Sequence, residues 1–94
     1  CLAYMLFMDE QEDKATKHQN ELHYHTKSEE WYFTFRGEQQ LVVNKKKVRV
    51  PEGHLLRIKP KIPHNIITRT YPFEGMTIRA PLIIEGDKVV IKDD

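Results

Sequence analysis

Short stretches in which apolar and polar residues alternate recur along this chain roughly every 8 to 12 residues. No stretch of a dozen residues carries the i, i+3, i+4, i+7 apolar spacing of an amphipathic helix. The alternation predicts strands at residues 2–8, 21–25, 31–36, 39–43, 47–50, 55–58, 66–70, 76–80 and 89–91. Between them, residues 9–19 are charged and polar and read as a loop, Pro51-Glu52-Gly53 reads as a turn, and residues 44–46 as the tip of a hairpin. Residues 59–63 form a loop stiffened by Pro60 and Pro63, because proline fixes its own φ and biases the residue before it. About nine or ten short strands at this spacing predict an all-β sandwich or small barrel, in one domain covering residues 1–94.

Alternation also assigns faces. His23 and His25 point to one side of their strand and Tyr24 to the other, with the two histidine Cα atoms about 7 Å apart. That separation suits two imidazoles converging on one ion. Glu30 opens the next strand, and His64 follows the stiff loop, so one barrel can gather all four side chains. If Glu30 faces the interior, Tyr32 and Thr34 do too, and Tyr32 is the candidate substrate contact through its phenol. Trp31, Phe33 and Phe35 then share the opposite face, too apolar to stand alone in water, which predicts packing or a dimer contact.

Charge narrows the partners. Fifteen Lys and Arg against 14 Asp and Glu leave a net charge of +1, which argues against a nucleic-acid binder. The run Lys45-Lys46-Lys47 reads as a solvated turn. Cys1 is the only cysteine, so no intrachain disulfide forms, and a reducing, cytoplasmic setting is expected. No apolar run is long enough for a membrane span. The sequence opens on Cys1 rather than Met, which leaves room for further residues, including a strand, ahead of it. Ser28 has no His and Asp at a triad-like spacing, and His18, His54, Arg57 and Arg79 read as surface residues.

The joint pattern resembles the cupins. Their first motif reads H-x-H, three or four residues, E, six residues, G; here His23-Tyr24-His25 is followed by residues 26–29, then Glu30, residues 31–36 and Gly37. The glycine selects Glu30 over Glu29. The second motif is matched by Gly53, Pro60, Pro63 and His64, while a loop glycine and a loop proline of the family fall at Lys61 and Lys59. The resemblance spans about residues 17–70. It implies a double-stranded β-helix, a jelly-roll-like small barrel, with one divalent ion held by His23, His25, Glu30 and His64, and a homodimer through one sheet. The segment from His23 to Glu30 is also similar to acireductone dioxygenases, with one more residue before the aligned Glu and a much shorter chain.

Three imidazoles and a carboxylate suit Fe, Mn, Ni, Cu or Zn without choosing among them. Oxygenase- or isomerase-type chemistry on a small polar or anionic organic molecule is the function expected first. A non-catalytic module that binds a metabolite or the metal is the alternative, and an ion serving only as a fold staple is a third.

Overall fold

The computed structural model describes residues 2–14, 23–25, 28–80 and 88–90. Among them are strands β1 (Leu2–Phe7), β2 (His23–His25), β3 (Glu29–Arg36), β4 (Glu38–Val43), β5 (Lys46–Pro51), β6 (Leu55–Ile58), β7 (His64–Arg69), β8 (Phe73–Ala80) and β9 (Lys88–Val90), and one helix, α1 (Glu10–Lys14). They form two sheets, ordered β1-β8-β3-β6 and β5-β4-β7-β2-β9. Every pairing is antiparallel. The all-β reading stands.

The core lies between the sheets. Tyr32 and Ile58 enter it from the first sheet, Leu41, Val50 and Ile66 from the second, with Val43, Leu56 and Ile62 packed against them. The burial of β3 alternates as its sequence predicts: Glu30, Tyr32 and Thr34 inward, Trp31, Phe33 and Phe35 outward.

Element boundaries depart from expectation at β3, which starts at Glu29 rather than residue 31, and at three further places. The polar loop expected over residues 9–19 begins with α1. The local signal was Asp9 followed three residues later by Glu12: Asp9 Oδ1 accepts from the Glu12 N–H at 2.9 Å, and Glu12 Oε1 accepts from the Met8 N–H at 2.6 Å. Second, β7 starts at His64 rather than residue 66, because His64 pairs with both His23 and Val43. Third, β8 starts at Phe73 rather than residue 76, because Phe73 pairs with Phe7 and is fully buried. Residues 15–19, 21–22 and 91 of the expected elements lie outside the described residues.

Two glycines permit close approaches that no side chain would. A Cβ at Gly75 would sit 2.7 Å from both Phe33 O and Phe73 Cζ. Gly37, at φ +81 between β3 and β4, would meet Pro72 O at 2.8 Å and Thr70 O at 2.9 Å.

At the far end of β7 from His64, Arg69 turns inward. Its guanidinium lies 5.3 Å over the Phe7 ring and 5.0 Å over the Phe73 ring. Arg69 Nη1 donates to Asp13 Oδ1 at 2.5 Å, and the Tyr71 hydroxyl donates to Asp13 Oδ2 at 2.5 Å. This fastens α1 to the end of the sandwich opposite His64.

The outer face of the first sheet is broadly apolar. Tyr4, Met76, Phe33 and Leu55 stand in register across all four of its strands, and Leu2, Ile78 and Trp31 form the next row. Leu2, Tyr4, Leu6, Phe35 and Leu55 are each about half exposed or more.

Candidate metal centre

Three strands from both sheets deliver the site. His25 ends β2, Glu30 is the second residue of β3 and His64 is the first of β7. The loop before His64 is anchored twice through its backbone: the Lys61 N–H donates to His25 O at 2.6 Å, and the Asn44 N–H donates to Pro63 O at 2.9 Å. Those anchors, with the two prolines, hold His64 where β2 and β4 can pair with its strand.

Glu30 is the hub. Its Oε1 lies 2.7 Å from His64 Nε2 and 2.9 Å from His25 Nε2. Its Oε2 accepts from Arg79 Nη2 at 3.0 Å and from the Tyr32 hydroxyl at 3.3 Å. His25, Glu30 and His64 are all 1–2% exposed. A second contact orients His64: its Nδ1 lies 2.9 Å from Ile62 O, so Nδ1 carries the donated proton and Nε2 is the atom offered to the interior.

The three side chains could hold a metal ion: each offers one ligand atom, and these lie within 4.8 Å of one another. Donors about 2.1 Å from an ion, on adjacent corners of an octahedron, stand about 3 Å apart, close to the observed spacings around Glu30 Oε1. The donor set therefore fits a divalent transition ion. Of the four residues expected as ligands, the structure brings His25, Glu30 and His64 together. The backbone of His23 stands directly across from His64 in the β2–β7 pair, and its side chain lies outside the described residues.

One residue reads differently in three dimensions. Arg79, expected at the surface, is the register partner of Glu30 on β8, and its side chain is only 20% exposed. The signal was available: Arg79 shares strand parity with the inward Phe73 and Gly75. Tyr32 is 4% exposed, a core residue whose ring meets His64 edge-on at 6.0 Å. Burial, then the Glu30 charge and hydrogen bond, push its phenol well above the usual tyrosine value, so it stays a donor. Arg57 does pair at the surface, with Glu29 at 2.7 Å, and His54 is exposed. His18 lies outside the described residues.

A two-sheet antiparallel sandwich with a buried His–Glu–His cluster between its sheets defines a class of small β proteins built around one interior site. The sequence matches the cupin domain model over residues 11–76, more than half its length, and the chain belongs to that family. Solved structures agree on the fold. A Streptomyces PAC13 variant solved with uridine superposes with TM-score 0.68 at 19% identity, covering 79% of this chain and 59% of that one. PAC13 is described as a nucleoside dehydratase. A 3,4-ketoisomerase from Helicobacter canadensis gives TM-score 0.72 at 14% identity, covering 95% and 66%. A cupin protein from Bacteroides fragilis gives 0.53 at 23%, covering 67% and 56%. The chain thus spans less than two thirds of the length of each of these structures. No curated protein matches the sequence. Among the described residues, no helix is long and apolar enough to cross a membrane.

Proposed function

We propose that this chain is a metal-dependent cupin enzyme acting on a small polar or anionic organic molecule. His23, His25, Glu30 and His64 would hold one divalent ion of Fe, Mn, Ni, Zn or Cu. The observation that carries this reading is the convergence of two imidazole Nε2 atoms on one buried carboxylate oxygen, at 2.7 and 2.9 Å. When bound, the ion supplies Lewis acidity, oxygen activation or a template for the substrate. The residues supply the rest. Glu30 presents Oε1 to two imidazole Nε2 atoms, Arg79 adds positive charge on the other carboxylate oxygen, and Tyr32 offers a neutral hydroxyl beside it.

Isomerase-type chemistry has more support than oxygenase chemistry. A buried carboxylate flanked by two imidazoles is placed to exchange a proton with a bound hydroxy or keto compound. Of the fold neighbours, one is described as a ketoisomerase and one as a dehydratase, and both reactions proceed by proton transfer without oxygen. The same grouping supports a second reading, in which the cluster works as an acid–base site without an ion. A non-catalytic binding module remains the alternative to both.

Metal content of tag-free protein, measured by mass spectrometry beside His64→Ala, is the deciding experiment. About one ion per chain, lost in the variant, is the expected result. Absence of metal, with no uptake of added Mn(II), Fe(II), Ni(II) or Zn(II), would sink the metal reading and leave the acid–base site. In that case proton exchange from D₂O into keto sugars, followed by NMR, separates an enzyme from a binder.

The same chain is proposed to work as a homodimer in the cytoplasm, with the apolar outer face of the first sheet as the interface. Its support is the four-strand row from Tyr4 to Leu55, wider than the aromatic stripe of β3 alone. Light scattering should give a dimer for the natural chain and a monomer for Phe35→Glu with Leu55→Glu; a natural monomer would refute the pairing.

A further inference from the structure

The end of the sandwich that holds Glu30 and His64 carries a group of lysines. The β4–β5 hairpin turn, Asn44-Lys45, and the 59–63 loop are joined by the Asn44 N–H bond to Pro63 O, so Lys45, Lys46 and Lys61 all stand at this end. All three are exposed. Over the whole chain the charges nearly cancel, at +1, so a local excess of this kind is not a general property of the surface. Among the described residues, the acids beside the cluster are engaged: Glu29 with Arg57, and Glu30 with its histidines and Arg79. Lys59 is left out of the set because it faces Glu29, whose carboxyl it helps, after Arg57 and Trp31, to hold below the usual range.

Two observations separate these lysines from an ordinary solvated turn. The first is backbone conformation. Lys45 has φ 68 and Lys61 has φ 69, the left-handed region where a side chain is disfavoured. A two-residue turn with Asn44 at φ 49 and Lys45 at φ 68 is the type in which Asn-Gly is preferred. Glycine is thus the better residue for folding at both positions, and lysine stands at both. Strain of this sort persists where the side chain is used. The second is strand parity. Lys46 shares a face of β5 with Val48 and the buried Val50, and pairs with the inward Val43. Its side chain therefore leaves β5 on the face toward the interior, at the level of His64, whereas Lys47 leaves on the outer face.

We propose that this rim is a phosphate-binding site, and that the ligand of the interior site is a small molecule bearing a phosphate or diphosphate group. The phosphate is held by Lys45, Lys46 and Lys61 at this end of the sandwich, and Arg79, on Glu30, adds positive potential further in. Lysine is a point charge with rotatable donors, suited to a phosphate presented at variable angles. This rests on the reading of the His25–Glu30–His64 cluster as the ligand site, and names its substrate class.

Calorimetric titration with inorganic pyrophosphate at about 50 mM salt is the test, on protein as purified and after chelator treatment. Lys46→Gln should weaken binding by about fivefold or more, as should Lys45→Gly combined with Lys61→Gly, while Lys47→Gln changes it by less than about twofold. The glycine pair should also hold or raise Tm, because it relieves two left-handed lysines, so its loss of binding cannot come from misfolding. No binding by the natural chain overturns the proposal. So do equal losses in the Lys46 and Lys47 variants, which would mark a diffuse field, or an unchanged Kd in the glycine pair. Metal content of the same samples keeps the two readings apart: pyrophosphate binding without metal uptake defeats only the metal, and metal uptake without pyrophosphate binding defeats only the rim.

Discussion

Asp13→Ala should destabilise this protein by about 3–5 kcal/mol, a large share of the total of on the order of 10 kcal/mol expected for a chain of this size. Arg69 is the reason. Its side chain is 1% exposed, and Asp13 is the carboxylate that the structure sets against it. Burial alone pushes the guanidinium's pKa down, and Asp13 opposes that shift. Removing Asp13 leaves a cation between two phenyl rings, with their quadrupoles as poor compensation for lost hydration. The reverse change is milder. Asp13 is 15% exposed on a short surface helix, so Arg69→Met leaves an acid that water can reach and fills the slot between Phe7 and Phe73 with an apolar chain. About 1–2 kcal/mol is expected there, with the double variant close to Arg69→Met alone. Urea unfolding followed by Trp31 fluorescence measures all three, and equal losses in the two single variants would refute the asymmetry.

The same cluster sets an alkaline limit. Burial, then the hydrogen bond to Asp13, raise the pKa of Tyr71 above its ordinary value. A raised phenol favours the protonated, folded form. Its contribution is complete below pH about 10, where the unfolded phenol is still neutral, and is lost as pH rises toward the folded value. In Asp13→Ala that loss should shrink.

Glu30→Gln should lower metal affinity by about a hundredfold or more while the chain stays folded, because orienting partners alone are worth ten- to a hundredfold and a direct carboxylate is worth more. Glutamine keeps the shape, and its amide can donate to His64 Nε2. Arg79 loses its carboxylate, but at 20% exposure its guanidinium can reach water, so a stability loss of only about 1–2 kcal/mol is expected. A bound ion needs Glu30 as the carboxylate and an unprotonated imidazole Nε2 from each histidine. Uptake should therefore release protons, and affinity should fall as pH falls. Titration of Mn(II) or Zn(II) in two buffers of different ionisation enthalpy checks both points. A Glu30→Gln variant that binds as tightly as the natural chain would remove Glu30 from the ligand set.

The strands of the chain were legible because their side chains alternate between core and solvent. On β3 every inward and outward residue from Glu30 to Phe35 follows from period two alone. The site was legible for a related reason: histidines two apart on a strand, an acid opening the next and a histidine behind two prolines are local patterns. Helix α1 was missed because five residues carry no periodicity, and only the Asp9–Glu12 cap announced it.

Sequence by itself determined the all-β class, the faces of β3 and three of the residues that meet at the site, since each depends on spacing along one strand or between neighbours. Tertiary structure alone decided which cations joined them. Arg79 is 49 residues from Glu30, and only the β3–β8 register sets it on the carboxylate. Arg69 and Asp13 are 56 residues apart, and the pairing of β1 with β8 brings them together. Lys45, Lys46 and Lys47 read as one solvated turn until backbone φ and strand parity set Lys45 and Lys46 apart from Lys47. Register between distant strands is a property of the assembled sheets, and no local pattern of residues encodes it.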